Sequence, residues 1–283
     1  MGKIAIVADS NCGISQQEGK ELGIFILPMP FFVDGELYYD GVTLTYDQFM
    51  KRMNEGADIS TTQPAPVDVA ELWDKLLKDH EYILHIPMSS NLSSSYEMAA
   101  VQSREYEGKV FVVDNQRISV TQRQSVLDAI TLREQGKSAL EIQEVLEAEK
   151  AEAGIYVTVD TLKYLKKGGR VTPAAAALGT VLNMKPVLQL LNGKLDAFAK
   201  VRGLKAAKKT MLEAMEKELN GRFQGKEVVL QAAYSCSEEE AAQWKAMIEE
   251  RFPGFKVQMD RLTLSIACHT GPGAIAVACS KKL

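Results

Sequence analysis

The sequence predicts an α/β protein of two domains. A βαβ domain with a mainly parallel sheet is expected over 1–155, and an α+β domain with a mixed, partly antiparallel sheet over 156–283. Three observations point there. Through the first half, short β-branched runs alternate with amphipathic helical stretches, the pattern of βαβ units. After GIYVTVD that alternation yields to VLQLLNGKLDAFAKV, two apolar runs meeting at Asn192-Gly193. That dipeptide tolerates positive φ at both turn positions and so marks a hairpin. The length, 283 residues, is long for one domain and comfortable for two.

The elements follow in order. KIAIVAD opens as a strand, and GIFILPMPFFVDG supplies a second apolar run. Residues 45–54 carry Thr45 and Gln48 at capping-box spacing, which starts a helix. VDVAELWDKLLKDHE puts Val69, Leu72, Trp73, Leu76 and Leu77 on one helical face. Strand YILHIPM, a helix after NLSSSYEMAAVQ, strand KVFVVD and a helix ending at Gly136 come next. Ser138 and Glu141 cap another helix. Beyond the hairpin lie a lysine-rich helix (203–219), strand EVVLQAAYS, a helix over 237–251 capped by Ser237 and Glu240, and strands FKVQMD and AIAVACS.

Composition narrows the function classes. Hydrophobic residues make up 46% and charged residues 25%, ordinary for a chain with a packed core. A formal charge of −4 lacks the basic excess of a nucleic-acid surface, so no nucleic-acid partner is expected. Cys12, Cys236, Cys268 and Cys279 are scattered and form no C-x-x-C pair, as expected of reduced thiols in a cytoplasmic protein. MGKIAIVADS has too short an apolar run for a signal peptide, and Ile6 stands where a myristoylation site needs Ser or Thr. No apolar stretch approaches a membrane span, so stable membrane insertion is not expected.

Common catalytic signatures are missing. Gly136-Lys137-Ser138 resembles the tail of a P-loop, but the upstream glycine position holds Thr131, and a helix C-cap followed by an N-cap explains it. There is no G-x-S-x-G or G-x-G-x-x-G, and His80, His85 and His269 lack metal-ligand spacing, so no metal site is expected.

Four stretches carry more. ISTTQPAP (59–66) places Thr61 and Thr62 just ahead of a helix, either as donors to an anion or as a plain turn. MSSNLSSSYEMAA (88–100) puts Ser93, Ser94 and Ser95 where a strand leads into a helix. In an open α/β sheet that edge binds ligands, and a simple cap needs one serine rather than five hydroxyl residues. LKKGGRVTPAAAALGTVLNMKP (165–186) joins Lys166, Lys167 and the forked donor Arg170 to a glycine pair, with Thr172-Pro173 reading as the N-cap and first residue of a helix. Its faces would come from Ala174 to Ala177, Leu178, Val181, Leu182 and Met184, leaving room for a chain-shaped ligand or serving close helix–sheet packing. ACHTGPGAIAVAC (267–279) sets His269 before a glycine-proline loop, as a site residue or as a hydrogen-bonded core histidine.

In this order STTQP, SSNLSSSY, LKKGGR, GKLDAFAKVRG and HTGPGAIAV resemble the DegV family of FakB-like fatty-acid-binding proteins, and the resemblance spans nearly the whole chain, including Asp9-Ser10 and Asp114. It implies two α/β domains holding one long-chain fatty acid between or within them. It also implies that Thr61, Ser93, Arg170 and His269 hold the carboxylate, with Thr62 and Ser94 as secondary head-group contacts. The acid is then the ligand, with no cofactor, and the partner is a separate ATP-dependent fatty-acid kinase that forms an acyl phosphate for phospholipid synthesis. The chain itself is then a non-catalytic lipid-binding protein. Two departures stand out: Ser94 replaces the usual glycine, and 115–125 lacks the usual small residues, which bears on ligand shape or kinase docking. Lys200 and Arg202 serve a partner surface or a solvated ridge.

The energetics allow this. Each buried methylene contributes ~0.8 kcal/mol, so a long acyl chain brings on the order of 12 kcal/mol gross. That exceeds association and ordering costs of several kcal/mol. Dehydrating a lone carboxylate opposes binding, and the four polar groups would offset it and fix the ligand's direction. Two other readings remain from the residues: a serine hydrolase or acyltransferase using Ser93 or Thr61 with His269, and a lipid-sensing regulator.

Overall fold

Ile4–Asp9 (β1) is apolar up to its last residue and buried along its whole length, because helices cover both faces of the sheet it centres. The computed structural model describes residues 2–178, 184–191 and 193–283, and the chain forms two units, Met1–Ala151 with Leu283, and Glu152–Lys282.

In the first unit β1 is followed by α1 (Gln16–Leu22), β2 (Phe25–Leu27), β3 (Pro30–Val33), β4 (Glu36–Tyr39), α2 (Tyr46–Asn54), β5 (Ile59–Thr61) and α3 (Pro66–Leu76). Then come β6 (Tyr82–Ile86), α4 (Ser95–Gln102), β7 (Val110–Val112), α5 (Val120–Glu134) and α6 (Ala139–Ala148). The parallel sheet runs β2-β1-β6-β7. Ile4, Ile6, Leu84 and Ile86 on one face meet Val126, Ala129, Ile142 and Leu146. Ala5, Val7 and Ile83 on the other meet Val69, Trp73 and Leu76 of α3. The capping boxes at Thr45/Gln48 and Ser138/Glu141 both form.

GIFILPMPFFVDG is not one strand. It splits into β2 in the parallel sheet and β3 in a separate antiparallel sheet of order β4-β3-β5. The β3–β4 hairpin turns on Asp34 (φ 52°) and Gly35 (φ 83°), the Asp-Gly pairing that tight hairpins favour. This small sheet carries Thr61 at the end of β5, opposite Phe31.

The second unit contains β8 (Ala153–Thr158), α7 (Lys163–Gly168), α8 (Pro173–Ala177), β9 (Met184–Leu191), β10 (Lys194–Arg202) and α9 (Gly203–Asn220). It continues with β11 (Val228–Tyr234), α10 (Glu238–Arg251), β12 (Gln258–Arg261), α11 (Leu264–Thr270) and β13 (Ile275–Lys281). Its sheet runs β10-β9-β8-β13-β11-β12, with β11–β12 the parallel pair. Met211, Met215, Trp244 and Ile248 of α9 and α10 pack on Leu230, Ala232 and Val277 of that sheet.

Here the expected hairpin forms, and the alanine-rich helix departs from expectation. β9 and β10 pair as a hairpin with Gly193 at φ 72°, but Asn192 lies outside the described residues. The alanine-rich helix is short: α8 ends at Ala177, and Met184 pairs with Arg202 as the first residue of β9. Val181 and Leu182 lie outside the described residues. His269 precedes the glycine-proline loop as expected, near the end of a helix, α11, that the sequence pattern did not mark.

Candidate functional site

The first unit builds its site at the carboxyl edge of the parallel sheet, where the chain leaves β6. Asp9, at the end of β1, accepts a 2.6 Å hydrogen bond from the Met88 amide and so fixes where the serine-rich loop begins. Burial pushes the Asp9 carboxyl up to about 6, although bonds from Met88, Gln122 and Asn11 pull the other way. The loop is then pinned twice more: the Ser89 amide donates to the Arg117 carbonyl (2.8 Å) and Ser90 Oγ donates to Asp114 (2.8 Å). Within it the Leu92 and Ser93 amides both donate to the Ser89 carbonyl, which makes a tight turn. Ser93 Oγ lies 2.7 Å from Ser95 Oγ and accepts from the Ser95 amide at 3.2 Å.

Ser93 is therefore held, half-buried, at the start of α4, while Ser94 is exposed. Thr61 is half-buried and Thr62 exposed, its amide 3.4 Å from the Pro30 carbonyl. Gln63 and Ser94 line one surface groove of about 650 Å³ with Val67, Met98 and Val101. The segment after Thr62 and the loop after Ser93 thus border the same groove.

The loop facing that edge carries two departures from ordinary backbone geometry. Gln116 has φ 51°, and Ser119 has φ 56° with ψ −138°, a region that suits glycine. Between them Arg117 is buried and donates to the Glu149 carbonyl at 2.6 Å. This loop supports the serine loop through Arg117 and Asp114. The resemblance had placed Asp9 and Asp114, but their supporting contacts depend on tertiary structure.

The second unit brings Arg170 and His269 together. Lys166 and Lys167 close α7 and are exposed. Gly169 (φ 66°) caps the helix, and the Arg170 amide returns to the Leu165 carbonyl at 3.2 Å. Arg170 Nη1 donates to the Gly168 carbonyl. His269, near the end of α11, has its imidazole pushed down to about 4 by burial and, secondarily, by the charge of Arg170. It is thus neutral near pH 7 and has one N–H to donate. Thr172 caps α8 through the Ala175 amide (3.2 Å) and also bonds Asp196, holding the latter's carboxyl below its usual value. Lys200 donates to the Leu178 carbonyl, a support within this unit, while Arg202 is exposed.

The chemistry available in each unit is hydrogen-bond donation. Hydroxyls in one unit, and a guanidinium with a neutral imidazole in the other, all donate. Among the described residues no cluster of His, Cys, Asp and Glu could hold a metal ion, and no helix is long and apolar enough to cross a membrane. None of the four cysteines is in a disulfide among the described residues.

A family model described as an uncharacterised protein of the DegV family matches residues 3–282. A DegV domain-containing protein of Deinococcus radiodurans is 32% identical over 276 residues, covering 97% of each chain. Another, from Caldanaerobacter subterraneus, is 32% identical over 284 residues and covers 100% of both. Among solved structures, a fatty-acid-binding DegV family protein from Thermus thermophilus matches with TM-score 0.89 at 31% identity over 99% of each chain. A stearic-acid-binding protein from Eubacterium ventriosum matches with TM-score 0.88 at 25% identity over 99% of this chain and 98% of its own.

Proposed function

Because the chain belongs to the DegV family, we propose that it binds a long-chain fatty acid, with the tail in an apolar tunnel and the carboxylate held by Thr61, Ser93, Arg170 and His269. The observation that carries this reading is the full-length likeness to the fatty-acid-binding protein of Thermus thermophilus, at TM-score 0.89 and 31% identity. The donor chemistry supports it. In the second unit Arg170 and His269 lie close to one another, and each of the four side chains can offer an N–H or O–H to an acid.

Tail burial supplies the affinity and the polar groups supply the direction. Arg170 contributes charge; His269, being neutral, contributes a directed hydrogen bond; the two hydroxyls satisfy further lone pairs of the carboxylate. Thr62 and Ser94, both exposed, make secondary contacts to the head group. The protein acts without catalysis of its own and without a cofactor, in the cytoplasm, and presents the bound acid to a separate fatty-acid kinase for acyl-phosphate formation.

Organic extraction of the purified protein followed by mass spectrometry tests the ligand. A fatty acid near one equivalent per chain is expected. Protein that stays lipid-free after incubation with both stearate and oleate contradicts the reading. Adding ATP and a fatty-acid kinase subunit to the loaded protein tests the partner, with acyl phosphate as the expected product.

A further inference from the structure

We propose that Gly168 is a positioning residue: it is the seat of the His269 imidazole and the anchor of the Arg170 guanidinium, so that the second unit presents both donors as one fixed pair. The inference rests on the proposed role of that pair in holding the acid.

Gly168 closes α7, and its φ lies outside the left-handed region, so its backbone would accept any residue. Alanine is in fact better than glycine in a helix by about 1 kcal/mol. Conformation therefore does not explain the glycine; space does. A Cβ added there would overlap His269 Nδ1 and lie 2.5 Å from Cε1, closer than real Cβ contacts come. Gly169 is the opposite case. Its φ of 66° needs glycine, while an added Cβ would meet nothing within 4 Å. The two members of the pair thus have separate reasons for being glycine.

The carbonyl of Gly168 accepts the hydrogen bond from Arg170 Nη1. One residue therefore sets the floor under the imidazole and the fixed point of the guanidinium. The same two segments lock together twice more. A Cβ on Gly271 would lie 2.6 Å from Tyr164 Cε2, and one on Gly273 would lie 2.5 Å from Asp160 Cγ. Ser235 holds the far side of this loop, donating to the Gly271 carbonyl (2.7 Å) and accepting from the Ala274 amide (3.0 Å). Three close approaches thus join the segment of Asp160, Tyr164 and Gly168 to that of His269, Gly271 and Gly273. A neutral imidazole has a single N–H to give, so its value to a carboxylate depends on being aimed.

Gly168→Ala, His269→Ala and the double variant test this in the full chain. The His269 ring is followed by NMR titration and oleate binding by calorimetry. In Gly168→Ala the imidazole should leave its seat and titrate well above the wild-type value of about 4, toward 6.5. Oleate affinity should fall roughly 10-fold, as in His269→Ala, with no further loss in the double variant. A Gly168→Ala protein with an unchanged His269 titration overturns the proposal, whatever the lipid does. So does an affinity loss that persists undiminished on the His269→Ala background. If Gly168→Ala fails to fold, the double variant should regain the wild-type melting temperature, because the clash leaves with the ring; a double as unstable as the single overturns the seat. A wild type that binds no oleate, alongside a shifted titration, fails the fatty-acid reading and leaves the seat intact.

Discussion

In the first unit the proposed donors are neutral hydroxyls, Thr61 at the end of β5 and Ser93 on a loop that hydrogen bonds hold in place; in the second they are a guanidinium bonded to the Gly168 carbonyl and an imidazole packed against the same glycine. The serine loop depends on Asp9, Asp114 and the Arg117 carbonyl, each a polar contact to a neighbouring segment. The imidazole of His269 packs where a side chain on residue 168 would be, and Arg170 bonds the carbonyl of that same residue. A hydrogen-bonded support can be weakened by degrees, because its partners are separate and each contributes about 1 kcal/mol net. A steric seat fails at once when one methyl is added. The pair that supplies charge is thus the one with the least tolerance for sequence change around it.

Four substitutions can break or sharpen that contrast. Arg170→Ala should have the largest effect, because it removes the cation: oleate affinity should drop by about 2–3 kcal/mol, roughly 30- to 150-fold, in calorimetry. An effect no greater than that of a hydroxyl deletion would put the two pairs on equal footing. His85→Phe comes next and acts on stability rather than binding. His85 is buried in β6, edge-on to Trp73 with ring centroids 5.6 Å apart, and burial pushes its imidazole down to about 4. Neither ring nitrogen is hydrogen-bonded among the described residues. The unfolded chain takes up a proton near 6.5 that the folded chain refuses until about 4, so stability is present above the first value and lost as pH falls toward the second. His85→Phe should therefore match the wild type near pH 7 and exceed it by about 2 kcal/mol near pH 5, in chemical denaturation at the two pH values. The Asp9 carboxyl, raised to about 6, works in the reverse sense, losing its contribution as pH rises through 6, and is common to both proteins.

Ser93→Ala should cost about 1–2 kcal/mol of oleate affinity, roughly 5- to 30-fold, with only a small fall in melting temperature, since the Ser95 amide loses its acceptor while the Leu92 and Ser93 amides keep theirs. Unchanged affinity would take Ser93 out of the site. Smallest is Ser119→Gly, which should stabilise the first unit by about 1 kcal/mol by relieving the φ 56°, ψ −138° backbone. If that gain came with weaker oleate binding, the strained loop would be holding the serine loop in its binding position through the Arg117 carbonyl.

The same contrast explains what could be read from the chain beforehand. The serine run at a strand-to-helix junction was legible because the edge of an α/β sheet gives such residues their meaning locally. The parallel sheet was legible too, since runs such as KIAIVAD and YILHI show the continuous apolar character of covered strands. The Asp34-Gly35 hairpin was written in the sequence, but it lay inside what read as one apolar run. α11 left little trace: in LSIACHT all but His269 are buried, so no polar face marks a helical period. α7 was masked by its lysines, which made a helix look like a charged corner. The seat at Gly168 could not be read at all, because the side chain that needs the space lies about a hundred residues further along the chain, on another helix.

Fatty-acid binding requires that a carboxylate is what the protein holds at the polar end of an oily chain. Calorimetric titration with oleate and with methyl oleate compares ligands that share a tail and differ in charge. The account predicts tight binding of the acid and at least 10-fold weaker binding of the ester, about 1.4 kcal/mol or more, with the gap closing in Arg170→Ala. Equal affinity for acid and ester, or a gap untouched by Arg170→Ala, would contradict it.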